Sequence, residues 1–282
     1  FHSISAFCNA GFDLMGQKHP FSSLTSYAND SLVSNVISVL IVIGGLGFFV
    51  WQDILKNRLH FHKYSLHSKI VLSTTLILLV GGTLFFFFND FSHWNIPLSE
   101  QLDASIFQSV SPRTAGFNTV DLTRLTESGI LFMTLLMLIG GSPGSTAGGF
   151  KTTTLAVLIL SIRAVFNHKQ NPQCFGRRIS NDTLNSAAAL FMLYIVLLFT
   201  GTFLIASIDH VPILTSLFEN ASAIGTVGLT LGITPGLSNF SHCILIFLMF
   251  FGRVGGLTLL LAISKHQIAS NANLPQENIT IG

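Results

Sequence analysis

Three segments of this chain end in the same way: 1–13 reads FHSISAFCNAGFD, 107–118 reads FQSVSPRTAGFN and 218–230 reads FENASAIGTVGLT. Each is a short helix-forming run closing on a small-residue turn centred on glycine. Gly11 and Gly228 follow the leading Phe by ten residues, Gly116 by nine. The chemistry available here belongs to the backbone. Converging carbonyl oxygens from several extended loops replace the water shell of a monovalent cation without a counter-charge, and glycine permits positive φ and close approach to an ion. The candidate liners are Asn9, Ala10 and Gly11, then Thr114, Ala115 and Gly116, then Thr226, Val227 and Gly228. One such turn would serve equally for tight helix packing; three in register point to a shared site for a monovalent cation.

A second string, GGSPGSTAGGFKTTT, begins at Gly140 and interrupts an apolar run. Its glycines and Pro143 cannot continue a helix without loss of hydrogen bonds. A phosphate-binding loop would need GxxxxGK[ST] after a strand, and Phe150 displaces the lysine by one position. A flexible loop at membrane depth is the better reading, with Ser142, Ser145 and Thr146 available to bond freed backbone. Arg253 lies between two uncharged stretches, 238–252 and 254–264. A central arginine costs roughly 2.5–3.5 kcal/mol to insert, so it must face an interior or a buried partner rather than lipid. Pairing with loop carbonyls and a positive barrier in an ion path are both open to it. Lys151 can snorkel to the interface or act on the loop. Arg113 can raise a local barrier or pair with a neighbouring acid; Glu219 can bond backbone behind its turn or attract cations.

The elements that must position these groups are membrane-spanning helices. Only 9% of residues are charged and 49% are hydrophobic, with 26 phenylalanines; soluble domains carry about 25% charge. Soluble enzyme classes are thereby excluded. A net charge of +2 from scattered basic residues gives no case for nucleic acid. Cys8, Cys174 and Cys243 form neither a disulfide framework nor a CxxC pair. Uncharged stretches 31–52, 70–88 and 183–208 are long enough to span. The stretches 128–150 and 238–252 are spans interrupted by the glycine loop and by Arg253. Lys56, Arg58, Lys63 and Lys69 cluster in 53–69, and Arg163, Lys169, Arg177 and Arg178 in 161–182. Both connections should face the cytoplasm, and the acidic ones around 88–102 and 209–215 the outside. Phe1 falls inside a patterned segment, without a basic leader before it, so a truncated N-terminus is expected.

The strings NAGF, PRTAGFNTVDL, GGSPGSTAGGFKTTT and GTVGL, in this order with a basic residue in the last span, resemble the potassium-translocating membrane subunit of the Trk/Ktr/HKT superfamily. The bacterial Ktr type is the most similar. The resemblance implies an all-α polytopic membrane protein built from helix, pore loop and helix around one pore. It divides the chain into the pore loop and second helix of repeat two (1–55), a cytoplasmic linker (56–69), repeat three with an interrupted second helix (70–163), a linker (164–182), repeat four (183–265) and a cytoplasmic tail (266–282). The first repeat and the opening helix of the second would be absent. The resemblance also implies potassium at Gly11, Gly116 and Gly228, a positive barrier in the ion path at Arg253, and a movable gate made of Gly140, Gly141, Ser142, Pro143, Gly144, Ser145, Thr146, Ala147, Gly148, Gly149 and Lys151. It implies a homodimer in the cell membrane and a cytoplasmic nucleotide-binding regulatory subunit forming an octameric ring.

Function then reads as potassium uptake through a carbonyl-lined filter, with sodium dependence left open and no organic cofactor. The membrane potential would drive it, at about 2.3 kcal/mol per charge per 100 mV. The alternative is a secondary carrier with a broken-helix midplane site. Carriers aim helix N-termini at anionic substrates; here the turns follow their helices, so negative dipole ends face the site and favour cations. An embedded enzyme lacks support, since neither HExxH nor GxSxG occurs.

Overall fold

The computed structural model describes residues 1–17, 21–58, 60–169 and 171–255. The apolar stretch after Arg253 and the tail 266–282 therefore lie outside the described residues, apart from Val254 and Gly255. Among the described residues ten α-helices carry the fold: α1 (His2–Phe7), α2 (Ser31–Leu46), α3 (Phe48–Asn57), α4 (Leu66–Asn89), α5 (Leu98–Val110), α6 (Glu127–Leu138), α7 (Thr152–Phe166), α8 (Asn181–Asp209), α9 (Ile213–Ile224) and α10 (Asn239–Val254). A two-stranded hairpin, β1 (Gln173–Cys174) with β2 (Arg177–Arg178), lies between α7 and α8.

Helix starts follow local chemistry. Asp30, Ser65, Thr126, Ser180 and Ser238 each accept a backbone N–H of the first turn of α2, α4, α6, α8 and α10, satisfying donors that have no partner within the helix. The shorter α5 and α9 instead begin after Pro97 and Pro212. α4 and α8 contain 24 and 29 residues, about 36 and 43 Å at 1.5 Å per residue, enough to cross a hydrocarbon core of about 30 Å. Their outward faces are apolar: Leu76, Ile77, Val80, Leu84 and Phe88 on α4, with Met192, Val196, Phe199 and Phe203 on α8, are exposed. A surface this greasy is stable in lipid.

The stretch 31–52, expected as one uninterrupted span, is not one. α2 and α3 meet at 93°. The chain turns at Gly47, whose φ of 91° suits glycine alone. The backbone freed at the corner is bonded by the glycine loop: Phe48 N–H donates to Gly144 O (2.9 Å), and Gly45 O accepts from Ser142 N–H (3.0 Å). The other interrupted span is as expected, with α6 and α7 flanking residues 140–151.

Packing repeats along the chain. α4 lies on α5, α8 on α9, α1 on α2 and α9 on α10. Gly82 faces Ser109 and Gly201 faces Asn220, each so closely that a Cβ would fall 2.3 and 2.5 Å from the side-chain oxygen. Ser109 and Asn220 both stand two residues after the leading Phe of their strings, and Phe107 and Phe218 are fully buried. The larger apolar core joins α4, α6, α8, α9 and α10; a second joins α1, α2 and α5.

Candidate functional site

Each of the three short helices α1, α5 and α9 delivers its chain into a turn of the same conformation. Asn9, Thr114 and Thr226 have φ of 48°, 65° and 53°, and Gly11, Gly116 and Gly228 have φ of 71°, 81° and 92°. The residues between them, Ala10, Ala115 and Val227, stay at negative φ. Alternation of hand along an extended segment turns successive carbonyls toward one side. Two threonines at positive φ are strained, since β-branched residues rarely go there, and such strain gathers at functional sites.

The backbone N–H groups of the turns are taken up behind them. Ala10 N–H donates to Ser5 O (2.9 Å), Ala115 N–H to Ser111 O (3.1 Å) and Val227 N–H to Ser222 O (2.8 Å). These serines occupy the same place, four residues after the leading Phe. Their hydroxyls reinforce the tie: Ser5 Oγ donates to Phe12 O, Ser111 Oγ to Phe117 O, and Ser222 Oγ accepts Gly228 N–H at 3.1 Å. Sequence reading passed over this serine, although aligning the three strings displays it.

The carbonyls of the turns are the converse case. Among the described residues, no carbonyl of 9–11, 114–116 or 226–228 accepts a hydrogen bond. Ala10 and Gly228 are exposed and Gly11, Gly116 and Thr226 half-buried, so these carbonyls border an open space in which water or a cation can serve them. The sets adjoin one another: a Cβ on Gly11 would lie 2.4 Å from Ala115 O, and one on Gly116 would lie 2.1 Å from Val227 O. Beside Gly228 there is open space. Thr114 Oγ1 and Thr226 Oγ1 are also buried without a partner.

The loop 140–151 is packed directly against these turns. Its neck is closed by Gly140 N–H to Phe150 O (2.7 Å), Thr152 N–H to Gly141 O (3.2 Å) and the Ser142–Thr152 hydroxyl pair (3.0 Å). At its tip, the Thr146 hydroxyl is within reach of Asn9 Oδ1 (2.8 Å), Phe7 O (3.1 Å) and Gly44 O (3.1 Å). Gly148 has no room for a side chain, because a Cβ would come 2.0 Å from Thr226 Oγ1. Gly149 N–H reaches Gly252 O of α10 at 3.3 Å. Every residue from Gly140 to Lys151 thus belongs to a stapled loop seated on two of the three turns.

Both basic residues turn toward that loop. Arg253 Nη1 donates to Thr146 O at 2.8 Å. Lys151 Nζ donates to Ala147 O at 2.7 Å, with Gly148 O at 3.4 Å, so the lysine folds back on its own loop instead of snorkelling away. Arg113 is paired with no acid among the described residues: it is buried, its Nη2 reaches Thr75 Oγ1 at 3.4 Å and its Nε has no partner. Glu219 braces the segment after its turn, Oε1 accepting from Thr230 Oγ1 (2.6 Å) and Leu231 N–H (2.9 Å) and Oε2 from Thr234 Oγ1 (2.9 Å).

Residues 1–273 match the family model described as TrkH, cation transport protein. The chain belongs to that family. The potassium/sodium uptake protein NtpJ of Enterococcus hirae is 38% identical over all of this chain and 63% of its own length. The Ktr system potassium uptake protein B of Bacillus subtilis is 39% identical, with the same coverage of both chains. The chain thus spans less than two thirds of these curated relatives. Among solved structures, the potassium transporter TrkH from Vibrio parahaemolyticus superposes with a TM-score of 0.76 at 18% identity, over 93% of this chain and 57% of that one. That likeness is one of fold. It agrees with the helical architecture read from the sequence.

Proposed function

We propose that this chain forms part of a potassium uptake pore in the cell membrane, with residues 9–11, 114–116 and 226–228 as three sides of a carbonyl-lined filter. The observation that carries the reading is the set of unpaired carbonyls on three adjoining turns. The N–H groups of Ala10, Ala115 and Val227 are held back by Ser5, Ser111 and Ser222, which leaves the carbonyls of the turns available to a cation. Such an array substitutes for the hydration shell of a monovalent cation. The space beside Gly228 is where a fourth, equivalent segment would close the ring.

The loop 140–151 is the gate in this reading, and Arg253 and Lys151 its latches. Held by Thr146 against Asn9 and by Gly148 against Thr226, it obstructs passage directly behind the filter. Withdrawal would need the Arg253 and Lys151 bonds to open. Net transport follows the membrane potential. Two partners belong to the same proposal, a second copy of the chain and a cytoplasmic nucleotide-binding regulatory ring. One relative is named for both potassium and sodium, so a sodium contribution is included.

The test is rubidium uptake by cells deprived of their own potassium systems. They would carry the uninterrupted reading frame encoding these residues, with Gly228→Ser and Arg253→Ala beside it and the 282-residue chain as a separate arm. Saturable uptake whose potassium preference falls with Gly228→Ser supports the filter. Uptake indifferent to Gly228 would reduce the turns to packing devices.

A further inference from the structure

A cleft of about 810 Å³ opens beside the glycine loop, between the starts of α4, α7 and α8. Its charged lining is of one sign. Lys151, Arg178 and Arg253 border it, and no Asp or Glu does among the described residues. Thr153 and Thr183, in the first turns of α7 and α8, also line it, so two helix N-termini add their positive ends, while the start of α4 at Leu66 already carries the Asp53 carboxylate. His67 lines it too, and its Nε2 is buried without a hydrogen-bond partner. Lys151, Arg178, Arg253 and the starts of α7 and α8, with no acid in the lining itself, make a seat for a phosphoryl anion.

Part of the lining is apolar, beside the hydroxyls of Thr154, Thr183 and Ser186. Ile70, Phe150, Val157 and Leu190 form a wall that a soluble phosphate would not use. Arg178 and Ser180 lie at the edge where the basic connections emerge, the level at which the charge rule places headgroups. Basic pockets between transmembrane helices on the cytoplasmic side suit lipid headgroups.

We propose that this cleft binds one anionic phospholipid, its phosphoryl group held by Arg178 and Lys151 and its acyl chain along Ile70, Val157 and Leu190. Lys151 Nζ is the point of coupling, because it also bonds Ala147 O of the loop. A phosphoryl oxygen competes for that ammonium and loosens the loop. This consequence rests on the gate reading above; the binding does not.

The experiment uses the purified natural-length protein in phosphatidylcholine nanodiscs, titrated with phosphatidylglycerol and read by native mass spectrometry. Arg178→Gln is the main variant and Arg163→Gln, a basic residue outside the cleft lining, its control. The expected result is retention of phosphatidylglycerol over phosphatidylcholine, weakened about tenfold by Arg178→Gln and unchanged by Arg163→Gln. Equal retention of both lipids, or equal effects of both variants, overturns the site. Displacement of the lipid by millimolar inorganic phosphate would overturn the lipid assignment in favour of a soluble anion. Rubidium flux from liposomes with and without phosphatidylglycerol reads the coupling separately: specific binding with unchanged flux keeps the site and overturns its link to the loop.

Discussion

Arg253 donates through Nη1 to the carbonyl of Thr146, and the hydroxyl of that same threonine reaches Asn9 Oδ1. One residue of the glycine loop thus links the cation of the last helix to the first of the three turns.

Removing the arginine should therefore release the loop. Arg253 is exposed, so its charged hydrogen bond is worth about 1 kcal/mol after solvent screening. Arg253→Gln should raise potassium flux by about fivefold, the factor that free energy sets in an equilibrium. Measured flux in proteoliposomes at or below that of the unmodified protein would contradict the latch.

Gly116→Ala places a methyl group 2.1 Å from Val227 O at a φ of 81°. Backbone strain alone costs about 1–2 kcal/mol, and the clash must shift one turn against its neighbour. We expect lower thermal stability together with lost preference for potassium over sodium. Gly236→Ala, in open space, should stay within about 0.5 kcal/mol of the starting protein. Parallel melting curves and ion-competition assays distinguish the two.

Glu219→Ala leaves the half-buried N–H of Leu231 without its acceptor, a loss of about 1 kcal/mol. Since the braced segment 230–234 follows directly on turn 226–228, selectivity should fall along with stability. Glu219→Gln keeps one acceptor oxygen and should recover part of both. If Gln and Ala behave alike, the brace is not the reason for the acid.

Asp53 of α3 accepts from Ser65 N–H, Ser65 Oγ and Ser68 Oγ at the start of α4. Hydrogen bonding from Ser65 and Ser68 holds its carboxyl below the usual range. A lowered value contributes stability above the unfolded pKa that is lost as pH falls through the folded one. Asp53→Asn should lower the melting temperature at neutral pH by a few degrees. The difference from the unmodified protein should vanish in acid; persistence of the full gap there would exclude the ionised cap.

Much of this arrangement was readable in advance because it depends on residue types at short range. The glycines of the three turns, the loop 140–151 and the basic connections each act within a few residues, so spacing exposes them. The long spans of α4 and α8 are legible because lipid demands unbroken apolar length. The corner at Gly47 is not legible, since it exists only because Gly144 and Ser142, distant in sequence, bond the freed backbone there. Likewise Lys151 turns inward and Arg113 finds Thr75 because folding decides which carbonyl or hydroxyl lies nearest. Composition and pattern determined a membrane protein with three glycine turns; tertiary packing alone brought their carbonyls side by side and set the loop against them, because contacts between segments a hundred residues apart leave no periodic trace in the chain.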